Sequence, residues 1–183
     1  MNLTHHFLLS MPQMRDTDFR DSLVYILDHG ENGAFGVIVN QELGMDLAGV
    51  FSQLSITGAS ASAGGISVLR GGPVDEGHGL VLHPPGPKFD ITRDFTGGVS
   101  LSSSRDVLES IARGDEPADH LIVLGHAGWA PGQLEMEVVE NAWLTCEASA
   151  DILFDTPVER RRQATGDKLG INLAAIAGHA GHA

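Results

Sequence analysis

The chain has one cysteine, Cys146, which excludes an intramolecular disulfide and agrees with a reducing compartment. No apolar run approaches the roughly 18 residues that a membrane-spanning helix needs. The stretch from Met1 to Gln13 has no basic leader, and its apolar part is too short for a secretory signal. Cytoplasmic residence is therefore the expectation. Cationic side chains are scarce: 11 Lys and Arg stand against 24 Asp and Glu, a net charge of −13. Nucleic-acid affinity rests on Lys and Arg neutralising phosphates, and one cluster, Arg160 to Arg162 with Lys168 nearby, is thin for that task. The overall field repels a polyanion and an anionic membrane alike.

Catalytic and cofactor signatures are missing as well. There is no GxSxG elbow, no HExxH, no Cys/His cluster and no phosphate loop with its Lys and Ser/Thr. Nine histidines invite a metal reading. However, His78 and His83 point to opposite faces of a strand, and His120 and His126 flank another. No metal and no cofactor is implied.

What is present describes an ordinary globular protein. The 183 residues suit one domain, and 42% of them are apolar. Such a length buries roughly 70% of its extended surface, enough for a real core. The expected domain covers residues 1–173, and the small-residue tail 174–183 is expected to fray.

Short apolar runs bounded by turn residues recur throughout. Phe7–Leu9, Leu23–Leu27, Phe35–Val39, Val68–Leu69, Leu80–Leu82, Val99–Leu101 and Leu121–Leu124 read as seven strands. Several lack polar alternation, so both sheet faces should be covered. Gly30 to Gly33 reads as a hairpin loop. Leu47, Val50, Phe51 and Leu54 form one helical stripe with Asp46 as N-cap. Ser103 with Asp106 fits a capping box, and Gly114 the matching stop. A third helix is expected from Pro131 to about Asn141. A fourth starts at Thr156 as N-cap, with Pro157 and Glu159 in its first turn. Gly58 to Gly65 reads as a mobile loop. The sum is an α+β fold: one mixed or mainly antiparallel sheet with helices packed on it.

The most informative stretch is Leu121 to Glu135, LIVLGHAGWAPGQLE. A buried strand is expected to end at Leu124, followed by a glycine bend and a helix start near Pro131. Backbone N–H groups at such a junction can face a polar ligand. Gly125 and Gly128 would shape the bend, Trp129 would wall it and Gln133 would donate to the ligand. A tight structural turn with Trp129 in the core is the competing reading. Gly71 and Gly72 permit close backbone approach, and Pro73 fixes the exit. If that turn lies beside Gly125–Gly128, the two would form a backbone-lined cleft reached by Asn40 and His83. Cys146 reads as a buried, inert thiol. Arg160 to Arg162 read as a solvated face, with a protein contact as the alternative.

Several blocks together resemble a known family. Phe7–Met14 with Phe19 resembles the FLxAMPxM opening of the YqgE/AlgH proteins. His29 with Gly33–Asn40, then Gly71–Val74 and Gly79–His83, are similar to its next three blocks. Leu124–Trp129 with Gly132–Glu135 resembles its LGYAGWxxGQLE signature, and Asn141–Leu144 and Ile152–Phe154 follow in the family's order. Gln41-Glu42 stand where the family has a basic residue and proline. His126 replaces an aromatic, and a family tryptophan is absent from Arg160–Gln163. The resemblance implies a compact α+β fold in a bacterial cytosolic protein. It also carries the label of transcriptional regulator through one branch of the family, which the acidic balance here counts against as direct DNA contact.

The expected function is accordingly a non-enzymatic regulatory module that binds a protein or a small polar ligand, as a monomer or weak oligomer. An enzyme using the glycine-turn cleft is the alternative, and a direct DNA-binding regulator the second alternative.

Overall fold

The computed structural model describes residues 1–179. Strands β1 (His6–Ser10), β2 (Leu23–Gly30), β3 (Gly33–Ile38) and β4 (Glu42–Asp46) lead into helices α1 (Leu47–Gln53) and α2 (Ala61–Gly64). Then come β5 (Ser67–Arg70), β6 (Val74–His83), β7 (Thr92–Phe95), β8 (Val99–Ser102) and α3 (Arg105–Arg113). The chain closes with β9 (Leu121–Trp129), α4 (Gln133–Val139), β10 (Trp143–Glu147), a π-turn (Asp151–Asp155), α5 (Val158–Lys168) and α6 (Leu173–His179). The sheet runs β10-β1-β2-β3-β9-β6-β8-β7, with β4 and β5 branching from it. All neighbours are antiparallel except β5 and β9. The expected α+β architecture, a curled antiparallel sheet clothed in helices, is what the structure shows.

The apolar runs lack polar alternation because both faces are covered. Phe7 and Leu9, with Leu23, Tyr25 and Leu27, enter one central cluster together with residues of β3, β5, β6, β8 and β9. Leu8, Val24 and Ile26, on the opposite face, meet α4 and both tryptophans in a second cluster. A third packs α1, α2 and α3 on β5, β6 and β9.

Among the described residues ten strands stand where seven were expected. The three extra, β4, β7 and β10, are edges or branches with one pairing partner each, and they carry ELGMD, TRDF and WLTCE. Edge strands tolerate polar and irregular sequence, so no hydrophobic pattern announces them. The loop 58–65 contains α2, whose first turn is capped by Ser60 Oγ accepting from Ala63 N at 3.2 Å. Asp46 and Gly114 cap α1 and α3 as expected. The N-cap of α3 is Ser104 rather than Ser103. That of α5 is Pro157, because the Thr156 hydroxyl turns back to donate to Asp151 O. Residues 174–179, expected in the frayed tail, are helical: Asn172 Oδ1 accepts from the N–H groups of Ala174 and Ala175, and Leu173 packs on Gly166. The rest of that tail lies outside the described residues.

Of the three arginines expected on a solvated face, Arg160 is exposed, whereas Arg161 and Arg162 turn inward. Arg161 is 4% exposed, donates to Thr156 O and to Val39 O, and burial lowers its pKa to about 10. Arg162 donates to Ser10 O. The two guanidiniums thus tie α5 to the carbonyl ends of β1 and β3, satisfying acceptors the sheet leaves free.

Candidate functional site

The expected strand end at Leu124 is a bend inside a longer strand. β9 continues to Trp129, and Gly125 sits in it with φ +76°. Up to Leu124, β9 pairs with β5 and β6, and just past Gly125 His126 still pairs with Val74 of β6; Ala127–Trp129 then pair with Gly36–Ala34 of β3. The glycine therefore turns the strand from one half of the sheet to the other, a known use of a bulge at a sheet corner. His126 accordingly lies within β9 rather than at its end, against Phe35.

Gly71 and Gly72 do lie beside this corner, but in direct contact with it. Gly71 N donates to Leu124 O and Gly71 O accepts from Ile38 N, both at 2.7 Å. A Cβ on Gly71 would come 2.2 Å from Gly125 O, and one on Gly72 would come 2.2 Å from His126 O. The two turns are packed backbone on backbone, so the expected cleft between them is filled. Pro73 is exposed. Gly128 has open space where a Cβ would stand. Asn40 is spent on the fold: its Oδ1 accepts from Leu23 N, and its Nδ2 donates to Asp21 O.

His83 is fully buried. Its Nδ1–H donates to Pro84 O and its Nε2 accepts from Ser102 Oγ, both at 2.8 Å. Ser102 and Thr92 share a further hydrogen bond of 2.8 Å. A serine on a histidine fixed by a carbonyl has the connectivity of an activated nucleophile. Here Ser102 is also fully buried, so the relay holds β6, β7 and β8 together out of reach of a substrate. Among the described residues no three His, Cys, Asp or Glu side chains are grouped to hold a metal ion. Cys146 is buried, and burial pushes its thiol pKa up.

Burial pushes the pKa of His83 down, and those of His5 and His120 likewise. These histidines bind fewer protons folded than unfolded below about pH 6.5, so stability should fall as pH drops through that value toward the lower folded pKa values. We expect the urea midpoint to decrease from about pH 7 to about pH 5, and His83→Gln to flatten that decrease. An unchanged slope in the variant would remove His83 from the account.

The signature residues after the corner converge on α4. The helix starts at Gln133, with Gly132 as N-cap at φ +77°, and ends at Val139, shorter at both ends than expected. Leu134 anchors it in the second cluster. Trp129 Nε1 and Trp143 Nε1 both donate to Glu137 Oε2, at 2.9 and 2.8 Å. Phe19 stacks on Trp129 and meets Trp143 edge-on. Gln133, expected as a ligand donor, accepts from Ala130 N and donates to Glu137 Oε1. On the opposite flank Glu135 Oε1 accepts from His29 Nε2 at 3.0 Å, while His29 Nδ1 accepts from Leu3 N. The Glu135 carboxyl is held below its ordinary pKa, first by its own backbone N–H and then by His29 and the N-terminal ammonium.

α4 is thus clamped from both sides while its outer face stays free. Met136 is 64% and Val139 76% exposed. Beside them lies a groove of about 500 Å³ lined by Met14, Asp16, Glu137, Glu140 and Ala142, among others. Sequence reasoning missed this face: the stripe through Leu134 and Val138 marks the buried side, whereas Met136 and Val139 fall off that period and had no assigned place.

The fold and this rigid, part-apolar helix face define a single-domain α+β protein built on a curled antiparallel sheet. The chain belongs to the AlgH-like family, whose sequence profile matches residues 7–174. It is 46% identical over 182 residues to a UPF0301 protein of Pseudomonas syringae, covering 99% of this chain and 96% of that one. A Thioalkalivibrio sulfidiphilus UPF0301 protein is 43% identical, covering 100% and 97%. The solution structure of AlgH from Pseudomonas aeruginosa superposes with a TM-score of 0.82 at 43% identity, over 100% of this chain and 97% of that one. A Corynebacterium diphtheriae protein shares the fold at 19% identity, with a TM-score of 0.72 over 96% and 91%. Among the described residues no helix is long and apolar enough to cross a membrane.

Proposed function

We propose that this protein is a non-enzymatic regulatory module of the cytoplasm that acts by binding a protein through the outer face of α4, itself a monomer or weak oligomer. The observation that carries this reading is the pairing of Met136 and Val139, both largely exposed on a helix fixed by Glu137 and His29. A helix already held in place gives up little backbone freedom on docking, and its exposed apolar side chains leave water when a partner covers them, which favours a contact surface. The enzyme reading loses support where the glycine turns meet without a gap and where the Ser102–His83 pair is sealed. Direct DNA binding is opposed by the charge of −13.

A photo-crosslinking residue placed at position 136 in cells should give a discrete adduct band. The same group at Ile91, which is 60% exposed on the far edge of the sheet, should give none. Equal labelling from both positions, or none from 136, would sink the reading.

A further inference from the structure

We propose that the α4 face docks a cationic amphipathic segment: a helix or strand of a partner protein with apolar side chains at its centre and Lys or Arg at its margins. This rests on the reading of α4 as a protein contact and specifies what it contacts.

Three features of the surface select that partner. Met136 and Val139 stand one turn apart on α4, so their side chains lie together and present one apolar strip. Methionine adapts its shape to different apolar anchors. The groove beside the strip adds Met14 and Ala142, which receive a partner side chain at its edge. Carboxylates frame the apolar strip: Glu135 on one flank, Glu140, Glu137 and Asp16 on the other. Among the described residues Arg15 is the one cation lining the groove. Glu137 is engaged by two indoles and Gln133, and Glu135 by His29. Glu140 is exposed and makes no side-chain hydrogen bond among the described residues, so its charge is available to a partner.

The electrostatics discriminate among occupants. A nucleic acid or an anionic lipid surface would place phosphates against these carboxylates. A second copy of the chain would bring Glu135 and Glu140 against the same residues, and like-charge juxtaposition of that kind is costly. A cationic segment gains from each of them, and the net charge of −13 steers it inward. An amphipathic helix can lay its apolar face along the strip that Met136 and Val139 form at i and i+3 of α4, with its basic margins toward the flanking carboxylates.

The test uses the full chain, isotope-labelled for NMR, and two synthetic peptides. One is an amphipathic leucine/lysine helix former, the other its leucine/glutamate counterpart. The lysine peptide should perturb resonances of residues 13–16 and 133–142, and the glutamate peptide should bind at least about tenfold more weakly. Met136→Ser with Val139→Ser should weaken the lysine peptide about tenfold, and Glu140→Gln severalfold. All three positions are exposed, and an unchanged melting temperature would show that the fold is intact.

Raising salt from about 50 to about 300 mM should weaken binding without moving the perturbed set. Perturbations spread over the whole acidic surface, or variants that bind as well as the parent, would overturn the proposal. Preference for the glutamate peptide, or no binding of either, would overturn it too. A crosslink from position 136 alongside any of these failures would leave the protein-contact reading standing and remove only the cationic partner.

Discussion

Gly72→Ala is expected to leave no stable native state, with a loss of more than about 4 kcal/mol, at the extreme of single substitutions. A Cβ at Gly72 would lie 2.2 Å from His126 O, 2.3 Å from its carbonyl carbon and 2.7 Å from Ala127 N. All three are backbone atoms in the middle of β9, which other strands hold on both sides. No rotamer change relieves such a contact, and the residue's φ of +154° adds strain. Gly125→Ala should act likewise, because its φ is +76° and its Cβ would stand 2.5 Å from Gly72 O.

The control lies within the same motif. Gly128 has nothing within 4 Å of a would-be Cβ and no positive φ, so Gly128→Ala should change stability by less than about 0.5 kcal/mol. Soluble yield, far-ultraviolet circular dichroism and urea midpoints of the three variants decide the matter. A folded Gly72→Ala with near-parental midpoint would show that the corner can open. That result would also reinstate room for a ligand there.

Much of this architecture was legible in the sequence because burial on both faces writes itself as unbroken apolar runs. Leu23–Leu27 and Leu121–Leu124 are strands for that reason. The caps Asp46 and Gly114 were legible because each solves a local backbone problem with its own side chain or its own φ. Gly125 was legible as a bend but not as a bend within a strand. The difference lies in β3, about 90 residues away in sequence, which catches the chain again after the turn. The sequence leaves open whether the two glycine blocks lie side by side; in the structure they are in contact. Whether two adjacent turns enclose a space or exclude it is decided by tenths of an ångström, which no residue pattern encodes.

Arg161 misled for a related reason. A charged triplet predicts solvent, whereas its partners are the carbonyls of Val39 and Thr156, groups every residue carries and no sequence distinguishes. The role of Glu137 was equally hidden, since its two indole donors sit eight residues before it and six after it on different strands.

That carboxylate gives the second large effect. Glu137→Leu keeps similar bulk but removes the acceptor of two indole N–H groups. Trp129 and Trp143 are 5% and 2% exposed, so water has little access to replace it. Each stranded donor costs about 1–3 kcal/mol, and the pair together about 2–6 kcal/mol. Glu137→Gln separates the lost acceptor from the lost charge. Its amide oxygen can occupy the place of Oε2 and accept both indoles, while its NH₂ meets the Gln133 amide, which must turn and give up the exposed Ala130 N–H to accept from it. Charge assistance and one exposed hydrogen bond are lost but both buried indoles keep their acceptor, so the glutamine variant should recover most of the stability, to within about 1 kcal/mol of the parent.

Tryptophan fluorescence reports the same event directly, since both indoles of the chain touch this one oxygen. The leucine variant should shift the emission where the glutamine variant does not. The same pair of variants bears on the docking surface. If α4 recognises its partner as a rigid platform, folded Glu137→Leu should bind the lysine peptide more weakly than Glu137→Gln, although neither change touches Met136 or Val139. Equal binding by the two would mean that the exposed strip needs no clamp. The clamp would then serve stability alone, and Gly128-Trp129 with Gln133-Leu134-Glu135 of this chain would serve the core beneath α4 rather than the surface above it.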